Sequence, residues 1–287
     1  MAPERVRAAR HILRPGVVRL ERRGRDSTQA CIGDLAASFP WLLSVCTDHA
    51  PDGTMEDIYE GRDPRDIPNH AVAEAAHLLR LPPSTVRAWT RGRWCRTRSE
   101  RRFFEPVIDL PDRERSQLSF TNLVELHVLS AIRREHRVTL PKVRQALDYV
   151  AQAFPTPHPL ARVEFQTDGV DLFVERFGPL VSASRRGQIA MRDIMETYLE
   201  RIERDEAGLA AKLCPFTRAA GEPQPRTILI DPRISFGRPV LAGSGIPTSV
   251  VAERYTAGDS IEELARDYER DEKEIEEAIR VELLMAA

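Results

Sequence analysis

Apolar positions in this chain recur at two spacings, and the places where one spacing gives way to the other mark out its elements. Val72, Ala75, Ala76 and Leu79 fall at i, i+3, i+4 and i+7, one face of a short helix. Leu81-Pro82-Pro83 ends it. Pro83 suits the first turn of a second helix, where its missing N–H is no loss, and that helix runs from Ser84 to about Arg91. Its pattern buries Val86 and Trp89 and turns Thr85, Arg87 and Arg91 outward. Phe103, Phe104, Val107 and Ile108, with Pro106 and Pro111, then predict a short β wing. Ser119 caps a helix reaching about Glu135, in which Phe120, Val124, Val128 and Ala131 share a face. Thr139 and Pro141 open a further helix that ends near Ala153, before the proline-rich run Phe154–Pro159.

Farther on the spacing changes. Val163 and Phe165 alternate, Thr167-Asp168-Gly169 turns, and Val170, Leu172 and Val174 alternate again, which predicts a β-hairpin. A helix from about Ile189 to Asp205 carries the stripe Met191, Ile194, Met195, Tyr198 and Ile202, read as core or as a dimer seam. Gly221 to Pro225 reads as a linker. Ile228-Leu229-Ile230 is a short strand, and three helices follow over Thr248–Ala257, Ser260–Tyr268 and Asp271–Met285. Gly258 stops the first of these, and Ser260 with Glu263 forms a capping box for the second.

The expected fold class is therefore mainly α with small β elements. Residues 55–160 form a winged helix-turn-helix domain. Residues 161–218 form a β-hairpin and long helix, a candidate dimerisation region. Residues 219–227 are the linker, and 228–287 form a small three-helix, helix-turn-helix-like domain. Residues 1–54 carry eight arginines and no sustained periodicity. They read either as an extension upstream of a natural start at Met55 or as an arginine-rich arm that adds non-specific DNA affinity.

Charge sharpens this picture through its distribution, since the formal net charge of the 287 residues is only −2. From Arg80 to Arg102 there are eight arginines against one acid, Glu100. From Thr256 to Ala287 there are eleven acids against four basic residues. Arginine clustered beside a helix-turn-helix is the footprint of a phosphate-facing surface. Arg87 and Arg91 lie one helical turn apart and reach one groove together. Thr85, Arg87 and Arg91 are thus candidate base readers, with Ser84 beside them. Arg93, Arg96, Arg98, Arg101 and Arg102 are candidate phosphate contacts on the wing. Trp89 reads as core rather than as a stacking platform. The acidic helix would be repelled by phosphate, so Glu272, Glu274, Glu276 and Glu277 are candidate contacts to a protein partner.

Two resemblances attach to these motifs. Val72-Ala73-Glu74-Ala75-Ala76, Pro83-Ser84-Thr85-Val86-Arg87 and Trp89 resemble the MerR-type winged helix-turn-helix. Phe120–Val128 and Val138–Leu147 are similar to its third and fourth helices. The chain departs from that pattern at Pro82, where a capping Ser is usual, and in its long wing, Trp94 to Pro111. The resemblance implies major-groove binding by the helix carrying Thr85 and Arg87, with wing arginines on phosphate. Ile230-Asp231-Pro232, Gly237-Arg238-Pro239-Val240, Gly243-Ser244-Gly245-Ile246-Pro247 and Gly258–Leu264 resemble the modules known as domain of unknown function 433. Gly245 stands there in place of the usual arginine. The two together resemble the VapB-type antitoxins of type II toxin-antitoxin systems, which implies a double-stranded DNA operator, a PIN-like ribonuclease toxin as partner, and a homodimer.

Other classes find less in the sequence. It contains no GxSxG, Walker A or HExxH motif, so no enzyme, cofactor or metal role is expected. His77 and His127 read as structural. Four widely spaced cysteines and no run of about 18 apolar residues fit a reduced cytoplasmic protein without a membrane span. The competing expectations are a MerR-like regulator responding to a small ligand and an interaction scaffold that no longer binds DNA.

Overall fold

Strand β1 (His70–Ala71) leads directly into helix α1 (Val72–Leu78), and helix α2 (Pro83–Arg91) follows after a tight turn. The structure, a computed structural model, describes residues 59, 61–96, 100–134, 140–162, 164–166, 170–171, 173–174, 185–219 and 221–283. The segment 1–54 lies outside the described residues. In the turn, the Leu81 N–H donates to the Ala76 carbonyl at 2.7 Å and the Arg80 N–H to that of His77 at 2.8 Å, with Arg80 left-handed at φ 53°. These bonds satisfy the last carbonyls of α1. Pro82 gives α2 no side-chain cap. Ala75, Ala76, Leu79, Val86 and Trp89 are buried together, which fixes the two helices to each other.

A hairpin of β2 (Arg93–Arg96) and β3 (Arg101–Phe104) comes next, with Arg93 opposite Phe104 and Arg96 opposite Arg101. Strand β4 (Gln117–Leu118) pairs antiparallel with β1. Helix α3 (Phe120–Arg134) begins with a reciprocal cap: the Asn122 N–H donates to Ser119 Oγ and the Ser119 N–H to Asn122 Oδ1, both at 3.2 Å. Helix α4 (Leu140–Ala153) follows, the expected cap Thr139 lying outside the described residues. The centre of the main core is α3, whose Phe120, Leu123, Val124, Leu126 and Leu129 are fully buried.

The β-hairpin expected over 163–174 is not formed. Residues 164–166, 170–171 and 173–174 are helical. Val170, Phe173 and Val174 stand at i, i+3 and i+4, and all three are buried with Phe165. The apparent alternation ignored Phe173, which belongs to the helical period. A hairpin does occur farther on. Helix α5 (Arg185–Leu199) stops short of the expected end, and β5 (Ile202–Arg204) pairs with β6 (Ala210–Leu213). Asp205 drives the turn, its Oδ1 accepting from the N–H groups of Ala207 at 3.1 Å and Leu209 at 2.9 Å. Met191, Met195, Tyr198 and Ile202 of the expected stripe are buried within the chain, where α5 packs against α3, and Ile194 is half-buried.

Strands β7 (Ile228–Leu229) and β8 (Val240–Leu241) pair, and α6 (Thr248–Ala257), α7 (Ile261–Tyr268) and α8 (Glu272–Leu283) pack around Val251, Leu264, Ile275 and Ala278. Ser260 and Glu263 form a capping box on α7, and Gly258 takes the left-handed conformation after α6. In all, the described residues hold eight α-helices and four two-stranded antiparallel sheets. Among them no helix is long and apolar enough to cross a membrane.

The segment read as a linker is tied down. Buried Arg201 donates to the carbonyls of Cys214, Pro215, Gln224 and Pro225 at 2.8–3.1 Å, and its guanidinium lies over the Phe216 ring. Leu213 and Ile230 exchange backbone hydrogen bonds at 2.8 and 2.9 Å. His77 Nε2 lies 2.6 Å from the Val281 carbonyl, which only accepts, so the ring donates from α1 to α8.

Candidate nucleic-acid interface

The interface is built outward from buried Trp89. Its indole anchors α2 from below, so residues on the opposite side of the helix are pushed into solvent. Ser84, Arg87 and Arg91 are exposed and Thr85 is half-buried. The Trp89 carbonyl, at the end of α2, accepts from the N–H groups of Val107 at 2.7 Å and Ile108 at 3.0 Å. The chain that returns from the hairpin is thereby stitched to the helix that precedes it.

Gly92 sets the angle between the two. It has φ 72° and ψ −179°, a region essentially restricted to glycine. A Cβ there would lie 2.3 Å from the Phe104 carbonyl oxygen and 2.7 Å from Phe103 Cζ. Helix and hairpin therefore meet closer than any other residue permits. Arg144 on α4 hydrogen-bonds the Glu105 carbonyl just beyond β3, bracing the hairpin at its base beside Gly92.

Arg93, Arg96 and Arg101 are exposed on this hairpin. Arg102 occupies its register position opposite Cys95, and Arg98 lies outside the described residues. Among the described residues, no carboxylate pairs with Arg87, Arg91, Arg93, Arg96 or Arg101. Other arginines are consumed by the fold: Arg65 bonds Asp63 and Asp205, Arg218 bonds Glu277, and Arg254 bonds Asp259 and Asp267. Uncompensated guanidiniums on one helix and the adjoining hairpin form a surface whose natural complement is phosphate. Two features of this surface escaped the sequence reading. One is the joint at Gly92. The other is Trp94, 60% exposed, whose ring lies 5.2 Å from that of Phe103 and 5.4 Å from the Arg101 guanidinium.

The acidic helix differs from expectation. Glu277 is fully buried, 2.8 Å from Arg218 and 3.6 Å from Arg280, so it is an internal ion-pair partner and not a surface contact. Burial alone would raise its carboxyl, but the Arg218 guanidinium that donates to it holds it below its ordinary range. Glu274 is half-buried with Arg270 at 3.7 Å, while Glu272 and Glu276 remain exposed. The register explains this: residue 277 faces inward with Ala278 and Val281, and only the paired arginines make a carboxylate tolerable there. Among the described residues no group of three or more His, Cys, Asp or Glu side chains is placed to hold a metal ion.

Comparison with known proteins matches this geometry. Residues 68–147, which span β1 through α4's first half with the hairpin between, match the family described as "Putative DNA-binding HTH domain". Residues 228–280 match the family described as "Protein of unknown function (DUF433)". The chain is 30% identical over 221 residues to a Mycobacterium tuberculosis protein named "Putative antitoxin VapB45", covering 71% of this chain and 89% of that one. The chain belongs to the VapB45 family. A second relative from that organism, "Uncharacterized protein Rv2308", is 27% identical over 222 residues, covering 73% of this chain and 88% of the relative. The crystal structure of Rv2018 from Mycobacterium tuberculosis shares the fold, with a TM-score of 0.54 and 24% identity over 75% of this chain and 98% of that one. This VapB45-family chain thus carries a helix-turn-helix domain whose outward face is the arginine surface described above.

Proposed function

We propose that this chain is a DNA-binding antitoxin that represses its own operon and neutralises a partner toxin. The observation that carries the reading is the row of guanidiniums Arg87, Arg91, Arg93, Arg96 and Arg101 on α2 and the β2–β3 hairpin, for which the described residues supply no carboxylate partner. Membership of the VapB45 family supports the antitoxin half. In this reading the hairpin is the wing of a MerR-like winged helix-turn-helix. Helix α2 lies in the major groove, with Thr85, Arg87 and Arg91 at base edges. Arg93, Arg96 and Arg101, together with Arg98 and Arg102, sit on phosphates. The protein binds its operator as a homodimer in the cytoplasm, each copy on one half-site. The role is non-enzymatic.

The toxin is a PIN-like ribonuclease, and the exposed acids Glu272 and Glu276, with half-buried Glu274 between them, are the candidate contacts to it, Glu277 being withdrawn into the fold. Co-expression with the neighbouring gene tests this half. Rescue of growth and co-purification of the two chains are expected. A neighbour that is neither toxic nor bound contradicts the antitoxin assignment.

A further inference from the structure

The hairpin holds an exposed aromatic ring that the arginines alone do not explain. Side chains alternate across a strand, so Trp94, Arg96, Arg101 and Phe103 share one face of β2–β3, with Trp94 directly opposite Phe103 and Arg96 opposite Arg101. Trp94 is 60% exposed, the largest apolar side chain on the basic surface. It is nevertheless not free to wander. The Phe103 ring stands tilted at 54° beside it, and the Arg101 guanidinium lies toward its face. Phe103 in turn packs over the Gly92 joint, which couples the ring to the end of α2. Phe103 and Arg101 thus lie against the indole and leave apolar surface facing out, beside the Arg96–Arg101 pair of the hairpin.

We propose that Trp94 is a duplex-DNA contact that packs on the deoxyribose wall of the minor groove beside the major-groove site of α2. The inference rests on the DNA-binding reading above. The chemistry fits because the minor groove offers an apolar sugar surface edged by phosphate, and this face offers an apolar ring with the Arg96–Arg101 pair next to it toward the hairpin tip. The hairpin begins two residues after Arg91, so with α2 in the major groove it lies over the flanking backbone. A flat aromatic held in place contributes contact without ordering cost, and it adds no charge.

That last property gives the test. Binding of the full chain to the duplex upstream of its own coding sequence, and to a random-sequence duplex of equal length, is measured by fluorescence anisotropy across a salt series. Trp94→Ala is expected to weaken binding about ten-fold on both duplexes, in line with the value of one aromatic–nucleotide contact. It leaves the slope of log K against log salt unchanged, and Trp94→Phe restores most of the affinity. Arg96→Ala, in contrast, lowers the slope by about one. DNA is also expected to shield the indole from iodide quenching, a signal absent in Trp94→Phe. Trp94→Ala binding like the parent, or losing affinity only through a change of oligomeric state seen by sedimentation, overturns this inference while the DNA-binding reading stands. A parent chain that binds neither duplex overturns both.

Discussion

At the scale of single residues, this chain uses arginine for two opposed tasks, and what separates them is the partner each guanidinium finds. Arg201 illustrates the internal task. Nothing in its sequence neighbourhood distinguishes it from a solvated helix-end arginine, yet it is 5% exposed and donates to four carbonyls. Burial, and to a lesser degree the charge of Arg226, lowers its affinity for the proton, and carbonyl oxygens stand in for lost water. Arg201→Ala leaves those acceptors without a donor and is expected to cost about 2–4 kcal/mol, read as a lower urea midpoint. Arg201→Lys recovers little, since an ammonium cannot reach the four acceptors that the wider guanidinium bonds. The arginines of α2 and the β2–β3 hairpin perform the external task. There the sequence was informative, because eight arginines against one acid in 23 residues cannot all find internal partners.

At the scale of elements, the joint between α2 and the hairpin is the sharpest constraint. Gly92→Ala places a Cβ against the Phe104 carbonyl and forces a conformation costing about 1–3 kcal/mol before the clash is counted. The expected result is a lower melting temperature together with weaker DNA binding, because the hairpin no longer meets α2 at the same angle. The tie between α8 and the segment before it makes a pH-dependent prediction. Glu277 titrates below its ordinary value of 4.5 in the fold. The stability it contributes is therefore complete above about pH 4.5 and disappears as pH falls through the lower, folded value. Arg218→Ala leaves the buried carboxylate with only the longer contact to Arg280 and is expected to lower stability at pH 7. Chemical denaturation of parent and variant should show that gap narrowing as pH falls from 7 to 4. A gap that does not change with pH removes the ion pair from the account.

Elements were legible where periodicity was long and unambiguous. The stripe from Phe120 to Ala131 announces α3, and Ser260 with Glu263 announces the start of α7. Short apolar runs were not legible in the same way. Val170, Leu172 and Val174 satisfy a strand, while Val170, Phe173 and Val174 satisfy a helix, and only tertiary burial decides. The β5–β6 hairpin was hidden because the stripe of α5 continues in register through Ile202. The turn at Asp205 gave the available signal. Glu277 shows a further limit: five acids in one helix look like a surface, and one of them pointing at Arg218 from 59 residues away is invisible in one dimension.

At the scale of the whole molecule, the matched helix-turn-helix region and the matched C-terminal region are joined by specific bonds. Asn69 Nδ2 donates to the Phe236 carbonyl at 2.5 Å, His77 donates to Val281 at the end of α8, and Leu213, which lies between the two regions, pairs with Ile230. The expected linker is stapled rather than free, so the two regions are expected to unfold together in a single calorimetric transition. The distribution of charge also acts at this scale. With a net charge of only −2, affinity for DNA has to come from one local surface and not from the molecule's overall field. The most direct measurement is the salt dependence of binding to the duplex upstream of the chain's own coding sequence. If about six phosphates are neutralised by the arginines of α2 and the hairpin, affinity falls on the order of 10³-fold between 50 and 200 mM salt. Absence of binding, or an affinity that stays level across that range, contradicts the account.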